Sequence, residues 1–308
     1  MTPILRDRGL AALTRPGDLS LLARGFLFTE GPLELPDGSL LFQDIKAERT
    51  YLLGLDGEPA VVRDQTGAAN GQTWGPSGSI VVCEQNGRRV SEWRPETGES
   101  RTLLESPEGR RLNSPNDIVA RSDGTIFFTD PPYGVTPDKK ELPFQAVWAL
   151  DPNTGAARPL ADDFEKPNGL AFSPDERTLY VCDTGRYHVR SFDVAANGEL
   201  SGGDVLATFD PEGPGGPDGM KVDQAGRLYV AVAQGIWVLG PDGGLLGIFA
   251  TPKRPSNLTW CGPHADTLAI TAVDGVYRLP LSVPGLPPPF RPASVTLGAV
   301  SDHPSKGR

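Results

Sequence analysis

A six-bladed β-propeller with four-stranded antiparallel blades is the all-β fold class that this sequence predicts. Six copies of one pattern, a polar turn followed by a short β-rich run, occupy 36–44, 76–84, 122–130, 173–183, 223–232 and 262–271. They recur roughly every 40 to 52 residues, which is the spacing of propeller blades. Short strand-like runs punctuated by Gly, Pro and Asn fill the intervals, and long amphipathic helical windows are missing from the sequence. Radial closure of six such units protects the edges of their sheets.

The chain is long enough for one large all-β domain. Its 308 residues can bury a sizeable core, and its 37 glycines and 31 prolines lack the period of collagen, so they are interpreted as turns. We expect a single propeller domain over 1–308 with its core at about 20–285, a flexible N-terminal end and a Pro-rich, partly disordered C-terminal end at 284–308. The run 19–28 is a candidate for the strand that completes the last blade and ties the two ends of the chain together.

Charge, cysteine usage and hydropathy bound the class of partner. The net charge of −10 argues against nucleic acid and against an anionic membrane surface, whereas it suits a neutral or cationic ligand or simply solubility. Cys83, Cys182 and Cys261 are too sparse for a disulfide framework, and the first two lie in apolar runs typical of buried thiols. The N-terminus lacks a continuous apolar h-region, and no run reaches transmembrane length. We therefore expect a soluble, cytoplasmic protein.

Each repeat places one oxygen-bearing side chain at the entrance of the strand before its turn. These residues are Glu30, Asn70, Asn116, Asn168, Asp218 and Asn257. All but the last are flanked by Gly or Pro, which help set the backbone there. Equivalent positions in a propeller meet at one mouth of the central channel, so the six residues are predicted to form a ring.

A second set of acids ends the second strand of the first four repeats. They are Asp44, Glu84, Asp130 and Asp183. Antiparallel pairing returns this strand end to the start of the first strand, so these acids should lie near the same mouth. Val232 and Ala272 take the corresponding places in the last two repeats.

The ring predicts a site for a hard cation. Two carboxylates and several amide oxygens, without His or Cys, suit Ca²⁺, Mg²⁺ or Mn²⁺ better than Zn²⁺ or Cu²⁺. For any single position a local turn hydrogen bond is the alternative, but six in register favour a ligand set. Three or four of them would bind one ion and the rest would hold water or substrate. The histidines, His188, His264 and His303, fall outside the ring.

Five motifs resemble the senescence marker protein / gluconolactonase family of six-bladed propellers. They are TEGP (29–32), SPNDIV (114–119), FFTDPPYG (127–134), KPNGLAFS (166–173) and GPDGMKVD (216–223), and the resemblance runs roughly from 20 to 285. It implies one divalent cation in the channel, calcium first, with Mg²⁺, Mn²⁺, Zn²⁺ and Fe²⁺ as alternatives. It also implies hydrolysis of lactones, commonly sugar-acid lactones, while some relatives hydrolyse organophosphates.

The resemblance assigns roles residue by residue. Glu30, Asn168 and Asp218 are implied as metal ligands, and Asn116 as a fourth ligand or a substrate contact. Asp117 looks like a contact to a substrate hydroxyl.

The third motif is similar to the bacterial gluconolactonase branch and implies that Asp130 and Tyr133 lie near the pocket. The run 84–89 departs from the Glu-His-Gly of that branch, which removes a possible substrate contact. Three further candidate substrate contacts are Asn70, Glu84 and Asn257.

These residues support a hydrolytic mechanism. The cation would act as a Lewis acid on a lactone carbonyl while a carboxylate takes a proton from water. Asp218 is the first candidate base and Asp130 the second, although capping of a strand end is an equal alternative for Asp130. The rival hypotheses are a phosphotriester hydrolase using the same site and a propeller that only binds a partner.

Overall fold

The computed structural model of the chain describes residues 4–15, 17–54, 57–210 and 215–298. Its strands in chain order are β1 (Ile4–Asp7), β2 (Ser20–Arg24), β3 (Thr29–Glu34), β4 (Leu40–Asp44), β5 (Arg49–Leu53), β6 (Ala60–Arg63), β7 (Ala69–Trp74), β8 (Ile80–Glu84), β9 (Arg89–Trp93), β10 (Ser100–Leu104), β11 (Ile118–Ala120), β12 (Ile126–Asp130), β13 (Ala146–Leu150), β14 (Ala157–Ala161), β15 (Pro167–Phe172), β16 (Thr178–Asp183), β17 (His188–Val194), β18 (Leu200–Thr208), β19 (Met220–Val222), β20 (Leu228–Val232), β21 (Gly235–Leu239), β22 (Leu245–Ala250), β23 (Asn257–Cys261), β24 (Thr267–Ala272) and β25 (Gly275–Pro280). Short 3₁₀ turns occupy Leu10–Leu13, Pro107–Gly109 and Pro137–Lys139. No helix in these described ranges is long and apolar enough to cross a membrane.

The strands form six antiparallel sheets, which confirms the predicted six-bladed propeller. Blades 1 to 4 are β3–β6, β7–β10, β11–β14 and β15–β18, each in chain order across the sheet. Blade 5 contains β19–β22 and blade 6 contains β23–β25. The first strands of neighbouring blades touch one another, and β23 returns to β3, so these six strands line a closed ring around the channel.

The ring is closed by a strand from the other end of the chain. β2 pairs with β25 and supplies the fourth strand of blade 6, with Ser20 opposite Arg278 and Arg24 opposite Gly275. This confirms that the run 19–28 completes the last blade. The closure joins the two ends of the propeller by backbone hydrogen bonds rather than by loop packing alone.

The N-terminal segment, expected to be flexible, adds a fifth strand instead. β1 pairs with β22 at the outer edge of blade 5. Leu10 and Leu13, which follow this strand, are buried in the apolar cluster between blades 5 and 6. The few apolar side chains of this charged segment are therefore enough to hold it against the outer edge of the propeller.

The C-terminal Pro-rich segment also packs where the structure describes it, at 284–298. Phe290 lies against the apolar clusters on both sides of blade 2. Arg291 donates a hydrogen bond to the Leu35 carbonyl (2.8 Å) and pairs with Glu34 (2.5 Å). Residues 299–308 of the predicted disordered tail lie outside the described residues.

The hydrophobic core is divided among the blade interfaces. Six apolar clusters each lie between two neighbouring blades. Strands such as β8 and β12 are covered on both faces, so all of their residues are buried and their sequences read as continuous apolar runs. Cys83 and Cys182 are free, buried members of these clusters, and Trp74 packs fully buried between blades 1 and 2.

Candidate active site

The strand entrances of the innermost strands meet in one pocket. It has a volume of about 530 Å³, and five of the six ring residues line it: Glu30, Asn70, Asn116, Asn168 and Asp218. All five are buried. The sixth, Asn257, donates a hydrogen bond from Nδ2 to Glu30 Oε2 at 3.0 Å and is buried outside the pocket lining. The structure thus brings together side chains that come from all six blades.

A glycine after the ring residue lets neighbouring blades approach. Gly71 N–H donates to the Asn116 carbonyl (2.8 Å), and Gly169 N–H donates to the Asp218 carbonyl (3.2 Å). A side chain at Gly71 would place its Cβ 2.7 Å from the Asn116 oxygen, and one at Gly169 would lie well inside contact with the Asp218 oxygen. The Asn70-Gly71 and Asn168-Gly169 pairs therefore join one blade to the next, whereas pairs such as Asp37-Gly38 and Asn197-Gly198 lie in the hairpin turns within blades.

Blade 3 carries Asp117 where these blades carry glycine, and its carboxylate reaches a residue of the opposite blade. Asp117 Oδ1 accepts the N–H of Ile118 (2.9 Å), and Oδ2 is 3.5 Å from Asn257 Nδ2. Asn257 belongs to blade 6, on the opposite side of a six-membered ring, so this contact spans the channel. Asp117 is 3% exposed and is not part of the pocket lining.

Glu30 is held through one of its two carboxylate oxygens. Oε2 accepts the Gly31 N–H (2.7 Å) and Asn257 Nδ2 (3.0 Å), whereas Oε1 has no hydrogen-bond partner among the described residues. Asn257 Oδ1 in turn accepts the Leu258 N–H (2.8 Å), which aims its amino group at Glu30. Burial, followed by repulsion from Asp218 and Asp117, raises the Glu30 pKa well above its ordinary value.

Asp218 is a second buried acid that lines the same pocket. Burial raises its pKa to about 6, while the nearby positive charge of Arg254 acts to lower it. Arg254 lies 3.3 Å from Asp218 Oδ2 and also lines the pocket, as does Lys166. Arg254 is a site residue that the repeat pattern did not predict, although it stands three positions before Asn257 and so at the same mouth.

Only the amino group of the Asn168 amide makes hydrogen bonds to described residues. Its Nδ2 atom lies 3.0 Å from Thr184 Oγ1 and 3.3 Å from the Tyr133 hydroxyl. Its Oδ1 atom accepts no hydrogen bond from any described residue. Tyr133 lines the pocket with 40% of its surface exposed, and burial of its hydroxyl raises its pKa above the ordinary range.

Asn70 and Asn116 also present unpaired amides to the pocket. Neither side chain makes a hydrogen bond within the described ranges, although both residues are buried and both line the cavity. A buried amide without a protein partner requires water, an ion or a ligand to compensate its lost hydration.

Two of the predicted site residues point away from the pocket. Asp130 Oδ2 accepts the Asn113 N–H (2.8 Å), the side chain is fully buried, and burial raises its pKa to about 7. Glu84 forms an ion pair with Arg89 (2.6 Å) and accepts the Ser91 hydroxyl (2.6 Å). Neither acid lines the cavity.

The backbone contact of Asp130 follows a pattern that Asp44 and Asp183 share, whereas Glu84 is held by side chains. Asp44 accepts the N–H groups of Leu27 and Phe28, and Asp183 accepts those of Glu165 and Lys166. Asp44, Asp130 and Asp183 thus hold the loop that enters their own blade. Their position at the mouth follows the sequence prediction, whereas their contacts are those of backbone caps.

The donor set of the pocket fits a hard divalent cation. Glu30 Oε1, Asn168 Oδ1 and the Asp218 carboxylate are oxygen ligands carried by residues that line one pocket, the first two without hydrogen-bond partners among the described residues. Two buried acids with raised pKa values lack enough positive charge nearby, and a cation would supply it. In the described part of the chain no three His, Cys, Asp or Glu side chains are grouped to hold an ion by themselves, so amide oxygens must complete the set.

The fold and the pocket define a class: six-bladed propellers with an oxygen-lined, cation-compatible pocket at one mouth. Comparison with known families places the chain within that class, because residues 28–274 match the SMP-30/Gluconolactonase/LRE-like region. The protein therefore belongs to the SMP-30/gluconolactonase/LRE-like family, as its motifs predicted.

Named relatives agree with this assignment. The chain is 31% identical over 287 residues to a gluconolactonase of Zymomonas mobilis, covering 85% of this chain and 80% of that protein. It is 27% identical over 252 residues to the pentonolactonase XacC of Haloferax volcanii, covering 80% and 81%.

Solved structures show the same likeness. XC5397 from Xanthomonas campestris, described as a gluconolactonase, superposes with a TM-score of 0.83 at 33% identity, covering 91% of this chain and 95% of that one. A regucalcin from Agrobacterium tumefaciens, described as a calcium-binding protein, gives a TM-score of 0.76 at 20% identity over 88% and 96% of the chains. At that identity the second likeness shows the fold alone.

Proposed function

We propose that this protein opens a sugar-acid lactone and that it depends on one divalent cation, with calcium as the first candidate. The observation that carries the proposal is the pocket in which Glu30, Asn168 and Asp218 present oxygen atoms from blades 1, 4 and 5. Its volume of about 530 Å³ lies within the range of small-molecule sites.

The enzyme class rests on the relatives. A gluconolactonase, a pentonolactonase and a lactonohydrolase are among the proteins that the chain resembles, and the first covers most of its length. These likenesses make the chain a lactonase. The choice of a sugar-acid lactone is supported by a pocket lined with amide and charged groups suited to hydroxyls.

We assign Glu30, Asn168 and Asp218 to the cation, and Asn116 to a fourth ligand position or to substrate. When bound there, a divalent ion supplies a Lewis acid that polarises the lactone carbonyl. Carboxylate and amide oxygens favour Ca²⁺, Mg²⁺ and Mn²⁺, and Zn²⁺ and Fe²⁺ are the ions to compare with them.

Asp218 is the proposed base. Its carboxylate takes a proton from the attacking water as the water oxygen bonds to the carbonyl carbon. The bond from that carbon to the ring oxygen then breaks, and the proton passes to the ring oxygen, which leaves an open hydroxy acid. Burial raises the pKa of Asp218 to about 6 in the ion-free protein, and a bound cation would lower it, so the carboxylate is ionised and able to accept a proton at neutral pH.

Other residues bind and orient. Asn70 and Tyr133 line the pocket as partners for substrate hydroxyls, and Arg254 and Lys166 add positive charge that suits the carboxylate of the product.

Three of the remaining candidates receive supporting roles in this proposal. Asn257 holds Glu30 through its Nδ2 atom, and Asp117 Oδ2 lies 3.5 Å from the same Nδ2 atom and so helps to hold the Asn257 amide. Glu84 stabilises blade 2 through Arg89.

The test is hydrolysis of gluconolactone by the chelator-treated protein, before and after each divalent ion is added back. Acid release, corrected for spontaneous ring opening, should disappear on chelation and return with calcium or another hard ion. Xylonolactone, a homoserine lactone and a phosphotriester complete the panel. Full activity in the chelated protein would contradict the metal requirement, and activity on the phosphotriester alone would contradict the substrate class.

A further inference from the structure

We infer that Thr184 is a positioning residue that fixes the direction of the Asn168 amide, so that its carbonyl oxygen faces the pocket. This inference rests on the proposed function, because it concerns how one proposed metal ligand is oriented. It follows from the hydrogen-bonding capacity of three side chains.

The Thr184 hydroxyl has only one hydrogen, and that hydrogen is already used. Oγ1 donates to the Pro217 carbonyl at 2.6 Å, and this carbonyl has no hydrogen to return. Oγ1 can therefore only accept from its second neighbour, the Asn168 amide at 3.0 Å. The Asn168 atom that faces Thr184 must be the amino group.

The remaining surroundings of the amide agree with this direction. The Tyr133 hydroxyl, 3.3 Å away, is a second acceptor on the amino side. Oδ1 has no partner among the described residues, and Asn168 is one of the residues that line the pocket. A flipped amide would turn N–H groups toward a cation and leave Thr184 Oγ1 facing a carbonyl.

The turn that carries Thr184 is held in place by hydrogen bonds to its neighbour Asp183. The neighbouring Asp183 accepts the N–H groups of Glu165 and Lys166 (both 2.9 Å) and of Gly185 (3.1 Å). Its carboxylate thus anchors the loop before β15 together with the turn after β16.

Thr184 also joins two blades. It contacts Asn168 in blade 4 and the residue before Asp218 in blade 5, so it sets the relation between two proposed ligands. The equivalent positions after the strand-end acids of blades 1, 2 and 3 are Ile45, Gln85 and Pro131, which carry no hydroxyl. The threonine occurs in the blade that carries the Asn ligand.

The experiment is calorimetric titration of Ca²⁺ into the chelator-treated full-length protein. Thr184→Val keeps the shape of the side chain and removes the hydroxyl, so we expect the Kd to rise about 10- to 100-fold, as for other residues that orient a metal ligand. Thr184→Ser keeps the hydroxyl and should restore the Kd to within a few-fold of wild type. Thr208→Val is the control, because Thr208 is exposed on the outer strand of the same blade and its hydroxyl bonds to no described residue.

The outcomes separate this inference from the proposed function. An unchanged Kd in folded Thr184→Val, beside a wild type that binds calcium, overturns the positioning role and leaves the lactonase proposal standing. A wild-type protein that binds no divalent ion overturns the metal proposal itself. If circular dichroism shows that Thr184→Val is unfolded, Thr184→Ala carries the same expectation, since it removes the same hydroxyl and puts no methyl group in its place.

Discussion

Glu30 and Asp218 are buried acids that line the same pocket. Each has a pKa raised first of all by burial, and Asp117 adds further repulsion to both. In the ion-free protein this repulsion opposes folding, while in the presence of a cation the same carboxylates become ligands. Neutralising one of these carboxylates should therefore stabilise the ion-free protein and destabilise the ion-bound protein.

Glu30→Gln and Asp218→Asn test this at the level of single residues. Each variant should lose calcium binding and lactone turnover, because an amide cannot balance the charge of the ion. Each should also raise the unfolding temperature of the chelated protein. We expect its free energy of unfolding to increase by roughly 1–3 kcal/mol, because a buried charge has been removed. Thermal unfolding, calcium titration and acid release measure the three effects. Asp204→Asn is the control, because Asp204 is an exposed acid on an outer strand. Wild-type turnover in both site variants would contradict the proposal of a metal-dependent lactonase.

Asp130 illustrates the contrast between an acid that ends a strand and an acid that lines a pocket. Asp130→Asn keeps an oxygen for the Asn113 N–H and should retain turnover within a few-fold of wild type. Asp130→Ala leaves that buried N–H unsatisfied and should lower the free energy of unfolding by roughly 1–3 kcal/mol. Urea unfolding and gluconolactone hydrolysis distinguish these effects. A loss of turnover in folded Asp130→Asn would restore Asp130 as the candidate base.

At the scale of the element, the innermost strands decide how closely the blades approach. Gly169 of β15 donates to the Asp218 carbonyl, and a Cβ at this position would collide with that oxygen. The backbone of Gly169 is not in the left-handed region, so contact with blade 5 alone accounts for the glycine. The geometry of the site thus depends on a residue that has no side chain.

Gly169→Ala should push blades 4 and 5 apart. We expect a loss of roughly 1–3 kcal/mol in the free energy of unfolding, typical of overpacking, together with weaker calcium binding because Asp218 moves. Gly57→Ala is the matched control, since its added Cβ meets no heavy atom within 4 Å and its φ is ordinary. Equal calcium affinity in the Gly169 variant and in wild type would show that blade spacing does not set the site.

At the scale of the whole molecule, the proposed ligands belong to blades 1, 4 and 5, while β2 closes the ring through blade 6. An ion shared by blades that are distant in sequence stabilises the closed propeller and has no comparable site in the unfolded chain. Calcium at 100 times its Kd should add about 2.7 kcal/mol to the free energy of unfolding. The expected observation is an unfolding temperature that rises with calcium and falls with chelator.

The chelated protein should also lose stability as the pH rises. Burial raises the pKa of Asp218 to about 6 and of Asp130 to about 7, so the folded state holds protons that the unfolded state releases near pH 4. The favourable contribution is complete below pH 4 and disappears as the pH rises through 6 to 7.

Thermal unfolding between pH 4 and pH 8 in chelator measures this loss. The lowered pKa of His188, caused by burial, acts in the opposite direction, so wild type is compared with Asp218→Asn. The stability difference between the two proteins should grow with pH, and a difference that stays constant across this window would contradict the assignment of a raised pKa.

Much of the fold could be predicted from the sequence because most strands of a blade are consecutive in the chain. The hairpin of β15 and β16 lies within one stretch of sequence, and its turn, its apolar runs and its closing Asp183 repeat in the other blades with local variations. The period therefore predicts blade number, the ring of Asn, Asp and Glu, and the closing role of 19–28. The motifs around Glu30, Asn168 and Asp218 predict the family for the same reason.

The contacts between blades could not be predicted from the sequence. Thr184 orients Asn168 only because Pro217 of the next blade takes its hydrogen, and Arg254 meets Asp218 across a separation of 36 residues. The strand-end acids share a position with the ring, but antiparallel pairing says nothing about which way a carboxylate turns.

By itself the sequence determined the number of blades, the residues at the channel mouth and the family, because these depend on hydrophobic period and turn chemistry within each repeat. Only the tertiary structure decided which oxygens remain free, which acids are used as backbone caps and which side chains orient the site. The physical reason is that hydrogen-bond capacity is limited: whether Asn168 Oδ1 or Glu30 Oε1 is available depends on neighbours that only the closed ring brings together.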